Sequence, residues 1–530
     1  VFTRLARRLL RALDRGVVAA QARRLRATRP GVRPAMRDGR WYAAEPTTAR
    51  TTTEVTRELV SWLVARCEAA GVEYAVVPGR EPGRPHLSVA RRDRTRLQAH
   101  LTADDMLVLG RARGARVAVP VADLPPDAST PIEVFRPTSL PGGGLLTGPE
   151  EGCLLVEHDH ADGWLHLAMD NLVAERVPES MATASTVEVL GDHWPTFAPL
   201  GERGYLDAIE FPIDVVYTWV DGSDPAWRAS RDAHLADEGR LNEEAANASR
   251  WLDREELRYS LRSLSLYAPW VNHVWLVTAG HVPDWLDTAH PGLTVVTHEE
   301  IFEDPGLLPT FNSHAIEAHL HRIPGLAEHY VYLNDDVHLG RPVPPGRFFL
   351  SNGVPRFFPS RHQLDLGPAR VDDPPVMSAA KNGRDLLADR FGRVVTQKLK
   401  HTPHAQRRGT VADLVATFPE SVARTAAARF RSPHDVSVAS SLVHHFGYLT
   451  ERAVPASDLP YRYVNLTDDD FGEWLDRILT ERHLEAFCIN DTDGTPEQLR
   501  VRGARLQRFL EAYFPVASPY ELSDARTDAE

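Results

Sequence analysis

The chain has 530 residues, too many for a single hydrophobic core, so two to four domains are expected. Its composition, 43% hydrophobic and 25% charged, is that of a globular protein, and a net charge of −13 argues against nucleic-acid binding. Cys67, Cys153 and Cys488 lie far apart without a CxxC pair, which points to neither a disulfide framework nor a zinc knuckle.

Residues 1–50 read as a basic helical segment. The first forty hold twelve arginines and two aspartates, Asp14 and Asp38. Leu5, Leu9, Leu10 and Leu13 recur at helical spacing beside Arg4, Arg7, Arg8, Arg11 and Arg15. Two readings weigh equally: a helix lying on the anionic inner face of a membrane, and a basic helix packed on the protein's own acidic body. No apolar run of membrane-spanning length and no secretory segment is found, so a cytoplasmic location is expected.

Residues 51–205 read as a smaller α+β domain. Val55, Leu59, Trp62 and Leu63 mark a helix face, and strand-like runs follow at 73–78, 115–120, 132–136 and 153–157. From 211 the texture changes. A strand at 213–220, a helix at 251–267, strands at 273–278 and 293–297, a helix from Asn312–Ser313 to Pro324–Gly325, and a strand at 330–334 alternate. That order predicts an α/β fold with a mostly parallel sheet and crossover helices. Residues 381–450 read as mostly helical, CINDTDGT (488–495) as a turn, 206–518 as the catalytic domain and 519–530 as a disordered tail.

Two apolar runs end in carboxylates: FPIDVVYTWVDGSD (211–224) and YVYLNDDV (330–337). Such runs present acids at the C-terminal edge of a parallel sheet, where α/β folds bind ligands. Asp221 and Asp224 flank Gly222, which favours a sharp turn; a plain Asx-turn is the bland alternative. Trp219 is placed to stack on a base or to fill the core. Asp335 and Asp336, adjacent after an apolar strand, are costly to bury without a compensating cation or donors. His314, Glu317 and His321 share a helix face, but their spacing is not that of HExxH, and substrate or structural contacts suit them better than zinc. KHTPHAQRR (400–408) and FRSPHD (430–435) combine histidines with phosphate-binding arginines. Here His404 is the expected general base, with His401 and His434 as alternatives, and Arg407, Arg408 and Arg431 hold phosphate charge. Asn490 and Asp491 in CIND are hard-cation ligand types.

Taken together, IDVVYTWVDGSD, REELRYSLRSLSLYAPWVNHVWLVTAG, LPTFNSHAIEAHLHRIPGL, YVYLNDDV, KHTPHAQRR, RSPHD and CIND resemble the four ordered regions of the Stealth proteins, a family of sugar-1-phosphate transferases. The resemblance covers about residues 211–495. It implies a Rossmann-like, glycosyltransferase-A-like sheet with a helical C-terminal part. It also implies transfer of a sugar 1-phosphate from a nucleoside-diphosphate sugar, of the UDP-GlcNAc type, to a glycan hydroxyl, with release of nucleoside monophosphate. Mg²⁺ or Mn²⁺ on Asp336, Asn490 and Asp491 would serve the pyrophosphate. Asp335, Asp336 and His404 would be catalytic, and Trp219, Asp221, Gly222, Asp224, Arg254, Asn312, His314, Arg407, Arg408, Arg431 and His434 would bind substrate. A metal-dependent glycosyltransferase releasing nucleoside diphosphate and a non-catalytic glycan-binding protein are the competing readings.

Overall fold

A computed structural model describes the chain apart from residues 1, 38, 48–50, 80–82, 102–105, 113–114, 116, 126–130, 141–143, 169–170, 172, 202–205, 238–253, 492–493 and 523–530; for residues 2–12, 236–237 and 496 it describes the backbone alone. The chain divides into two compact units, Val1–Ala208 with Arg477–His483, and Ile209–Asp476 with Leu484–Glu530.

The first unit opens with helix α1 (Phe2–Leu25). This segment is not helical to residue 50: strands β1 (Arg33–Arg37) and β2 (Arg40–Pro46) form an antiparallel hairpin after it. Val18 and Ala22 of α1 are buried in a cluster with Val32, Ala35 and Tyr42, so the second half of the helix packs within its own unit. Helix α2 (Thr52–Ala70) starts in a reciprocal cap, Thr51 Oγ1 accepting from Glu54 N and Glu54 accepting from Thr51 N, and stops at Gly71 in the left-handed conformation. Its expected face is buried: Val55, Leu59, Trp62 and Leu63. Each such side chain contributes roughly 1.5–3 kcal/mol on leaving water. The face covers a mixed sheet in which β3 (Tyr74–Val77) pairs antiparallel with β4 (His86–Ala90), and β4 pairs parallel with β5 (Cys153–Ala161).

The second unit is built on a five-stranded sheet. Its members are β6 (Ile213–Thr218), β7 (Val274–Thr278), β8 (Leu293–Thr297), β9 (His329–Asn334) and β10 (His404–Arg407), in the order β8-β7-β6-β9-β10. The first four are parallel, and β10 is antiparallel to β9. The strands therefore run third, second, first, fourth across the sheet, and the direction of winding reverses between β6 and β9. Loops leaving the C-terminal ends of two strands diverge at such a point and leave a crevice. Thr218 pairs with Asn334, so the loops carrying Asp221 and Asp335–Asp336 leave the same edge side by side. A second sheet of β11 (Val337–Leu339), β12 (Tyr461–Asn465) and β13 (Ala486–Asn490), ordered β11-β13-β12, continues from there.

Four expectations change. The helix after Asn312 spans only Ser313–Glu317 and gives way to a 3-10 turn at Leu320–Arg322, so His321 leaves the face shared by His314 and Glu317. KHTPHAQRR supplies the edge strand β10, not a turn within a helical region. CIND closes strand β13, because the apolar run AFCI before it pairs with β11 and β12. The chain at 519–522 is docked rather than disordered: Glu521 is buried and paired with Arg258 and Arg262, each at 2.7 Å. Those two arginines lie on helix α3 (Glu256–Tyr267).

Candidate active site

The centre of the crevice is Asp336. It lies in the turn between β9 and β11, and Asn490 Nδ2 donates to its Oδ2 at 3.0 Å. Cys488 Sγ approaches the same oxygen at 3.1 Å. Residues 488 and 490 share a face of β13 because side chains alternate along a strand. Asp336 Oδ1 is buried and has no hydrogen-bond partner among the described residues.

His401 completes the group. Its Nε2 lies 3.1 Å from Asn334 Nδ2, and its Nδ1 lies 3.4 Å from Cys488 Sγ and 4.0 Å from Asp336 Oδ2. Tyr461 donates to the His401 carbonyl at 2.6 Å and fixes the backbone there. Burial, reinforced by the charges of Asp336 and Asp335, pushes the Cys488 thiol well above its usual range. Burial raises Tyr217 and Tyr332 above the ordinary phenol range, and the charge of Asp335 adds a little to each. Tyr332 shares a 3.0 Å hydrogen bond with Thr218 across the switch point.

His404 lies one layer behind His401, not at the crevice surface. It is 5% exposed, its Nδ1 meets His444 Nε2 at 3.2 Å, and its Nε2 has no partner among the described residues. Burial, with His444 and His401 adding to it, holds its pKa well below the ordinary value. A group enclosed on this scale does not face an acceptor hydroxyl, whereas His401 is the half-buried imidazole beside Asp336. The strand pairing explains the exchange: His404 sits opposite Tyr332 on the edge strand, with its side chain buried against His444.

Arg407 closes the far end of the same strand and Arg408 opens the helix after it. Arg407 pairs with His329, the first residue of β9, and its Nε donates to Glu328 at 3.1 Å. Five residues of β9 separate that position from Asn334, which is about 17 Å of strand. Neither arginine can join Asp336 in clamping phosphate. Arg431 is better placed. It donates to Ser313 Oγ at 2.7 Å, and its charge acts on Tyr332.

The FNSH and RSPHD segments meet around a buried carboxylate. Asp435 Oδ2 accepts from Asn312 Nδ2 at 2.9 Å and from Ser432 N at 2.9 Å, and lies 3.3 Å from His314 Nδ1. Asn312 and His314 therefore hold Arg431 in place and do not themselves line the crevice. His434, beside them, is exposed. Glu317 accepts from Ser440 Oγ at 3.1 Å, and no zinc-like cluster forms on that helix among the described residues.

Asp491 follows Asn490 but turns away from Asp336. Arg254 donates to it at 2.8 Å, Arg502 at 3.4 Å, and its side chain is 1% exposed. It is thereby neutralised as an ion pair, and Arg254 is committed to it as well. Asp221 accepts from Ser223 N at 2.7 Å, closing the turn around Gly222. Asp224 accepts from Trp227 N at 2.6 Å, at the start of the helix Pro225–Asp237. Trp219 is 5% exposed against His281 and packs in the interior. Burial lowers His281, with Asp224 and Asp221 opposing.

Beside this loop is a cavity of about 380 Å³ at the ends of β6 and β7, lined by Trp227, Ser230, Gly280, His281, His298 and Phe311 among others. Cys488, Tyr332 and Tyr461 are site residues the sequence reading passed over. Reading AFCIN as a strand places Cys488 on the face of Asn490 and would have found the first of them.

Models of four regions match the chain in order: Stealth protein conserved region 1 at residues 211–237, region 2 at 250–357, region 3 at 400–448 and region 4 at 476–529. The chain is 53% identical over 328 residues to a Streptomyces coelicolor protein named exopolysaccharide phosphotransferase SCO2594, covering 62% of this chain and 54% of the relative. It is 42% identical over 493 residues to SCO6023 of the same organism, likewise named an exopolysaccharide phosphotransferase, covering 88% and 82%. Mycobacterium tuberculosis CpsY, with the same descriptive name, is 37% identical over 399 residues, covering 74% and 73%. The chain thus spans about half the length of one of these relatives and most of the other two.

Proposed function

The chain belongs to the Stealth family of exopolysaccharide phosphotransferases, and from that premise we propose that it transfers a sugar 1-phosphate from a nucleoside-diphosphate sugar to a glycan hydroxyl. The donor is of the UDP-GlcNAc type and the product is a phosphodiester in exopolysaccharide or capsule synthesis. The acceptor oxygen forms a bond to the phosphorus next to the sugar. The bond from that phosphorus to the nucleoside monophosphate breaks, and the hydroxyl proton passes to the enzyme.

The observation that carries the reading is the convergence of Asn334, Asp335, Asp336, His401 and Asn490 at the switch-point edge of the sheet. His401 takes the hydroxyl proton on Nε2 once substrate displaces the Asn334 amide, with Asp336 on the Nδ1 side orienting the ring. Arg431, braced by Ser313, holds phosphate oxygens. The aromatic-walled cavity beside Asp224 seats the nucleoside.

A divalent cation fits the donor set. Asp336 Oδ1 is buried without a partner among the described residues, Asn490 lies against the same carboxylate and Asp335 precedes it in the turn, while Asp491 is occupied by arginines. Asp335, Asp336 and Asn490 would hold Mg²⁺ or Mn²⁺, which would supply neutralising charge for the pyrophosphate.

Incubation with nucleotide-sugars and glycan acceptors, followed by identification of the released nucleotide, tests the reading. Monophosphate supports phosphoryl transfer; diphosphate would make the enzyme a glycosyltransferase. No helix among the described residues is long and apolar enough to cross a membrane. We place the protein in the cytoplasm, with the arginine-rich residues 1–40 in peripheral contact with the inner face of the plasma membrane.

A further inference from the structure

Strands β3, β4 and β5 of the first unit lie side by side, and their pairing puts Glu73, Ala90 and His158 in one row. Ala90 pairs with His158, and Ala90 N donates to the Glu73 carbonyl at 3.0 Å. The middle residue of the row is an alanine, so the longer side chains on either side can meet over it. His160, two residues beyond His158, projects from the same face of β5.

The three side chains converge. Glu73 Oε1 lies 2.8 Å from His160 Nε2 and 3.5 Å from His158 Nε2. One donor atom from each of the three lies within 4.8 Å of the others. The outer nitrogens of both rings are engaged: His158 Nδ1 lies 3.0 Å from Ser88 Oγ, and His160 Nδ1 lies 3.2 Å from Glu179 Oε1. Carboxylate and hydroxyl partners on the outer nitrogen are what orient metal-binding imidazoles and keep the inner lone pair free.

One observation points to a ligand. His158 has a side chain with no solvent exposure, yet its Nε2 has no hydrogen-bond partner among the described residues and is aimed at Glu73. A cation among the three atoms gives that nitrogen its partner. Donor atoms around four-coordinate zinc, with bonds of about 2.0–2.1 Å, sit roughly 3.3 Å apart. The separations of 2.8 and 3.5 Å bracket that edge.

We propose that Glu73, His158 and His160 form a binding site for a zinc-class divalent cation on the amino-terminal unit, with solvent completing the coordination and Ser88 and Glu179 orienting the two imidazoles. Two nitrogens and one carboxylate oxygen suit such a metal better than magnesium or calcium. Because β3 and β5 are joined only through β4, the cation ties together the two strands that flank it. The role is separate from the transfer reaction proposed above.

The test uses the full chain carrying Cys488→Ser, so that the other cluster cannot contribute a thiolate. The chelator-stripped protein is titrated with Co²⁺ or Zn²⁺ alone, and metal content, cobalt visible absorption and thermal midpoint are read. One equivalent is expected beyond any held by the Asp335–Asp336–Asn490 group, with four-coordinate cobalt absorption and a raised midpoint. His158→Gln should abolish it, and Glu179→Ala should weaken it by about 10–100-fold. Should His158→Gln fail to fold, His160→Ala at the more exposed position carries the same expectation. Failure of the parent protein to retain metal, or retention that His160→Ala leaves unchanged, overturns the site and leaves His160 as a charged imidazolium between its carboxylates. Neither outcome bears on which nucleotide the transfer reaction releases.

Discussion

Asn490 donates its side-chain amide to Asp336 at 3.0 Å across 154 residues of sequence. That bond joins the turn after β9 to the end of β13 and so ties the large sheet to the small one at the crevice. It also leaves Asp336 Oδ1 as the open atom. Asp336→Ala should reduce sugar-phosphate transfer by about 10²–10³-fold, as removal of a group stabilising transition-state charge does. Asn490→Ala should lower activity and raise the divalent-cation concentration needed for half-maximal rate. Equal cation dependence in the parent and Asn490→Ala proteins would remove Asn490 from the metal set.

The two histidines of KHTPHAQRR separate by readout. His401→Ala should lose about 10²–10⁴-fold in turnover with little change in thermal midpoint. His404→Ala opens a hole beside His444 and Tyr332 and should lower the midpoint first. Full transfer activity in the His401→Ala protein would return the base to another group.

Acid should destabilise the second unit through its enclosed imidazoles. Burial lowers His444 to about 3, after which His445 contributes, and lowers His298 and His338 to about 4. With unfolded values near 6.5, the unfolded chain binds more protons between pH 6.5 and about 4, so stability falls as pH drops through that window. Each such histidine steepens the decline by about 1.4 kcal/mol per pH unit. Denaturant unfolding at pH 7, 6 and 5 should show the loss, and His444→Gln should flatten it.

Asp491→Ala should act on stability. It removes the carboxylate shared by Arg254 and Arg502, leaving Arg254 with Glu256 at 3.6 Å, and breaking such a buried pair costs up to about 3–5 kcal/mol. Chemical denaturation measures this. An unchanged unfolding free energy together with lost cation dependence would restore Asp491 as a metal ligand.

Membrane contact is tested on the whole chain, because a cut at residue 41 would sever the β1–β2 hairpin. Arg23 and Arg24 are exposed at the end of α1. Replacing both with glutamine should weaken co-sedimentation with anionic vesicles by about 1 kcal/mol per charge, and salt should weaken the parent in the same way. Equal sedimentation would leave α1 as a packed helix only.

The parallel core was readable because its strands are apolar runs such as VVYT, VWLVT and YVYL, separated by helix-length segments. The pairing of the DGSD and NDD loops followed from strand ends alone. Other features are settled by long-range contact. QRR reads as a basic turn until β10 pairs with β9 and sends Arg407 to Glu328. Asp491 looks like a cation ligand until two arginines from distant segments close on it. His404 and His401 are three residues apart, and only their packing assigns one to the interior and the other to the crevice.

The strand β10 also has a duty unrelated to reaction chemistry. As the antiparallel last member of the sheet, it covers backbone groups of β9 that would otherwise lie open to pairing with another chain. Substitutions within it therefore act on solubility and assembly as well as on turnover. For a variant of residues 404–407, loss of product and loss of monodispersity should be measured on the same sample before either is ascribed to the crevice.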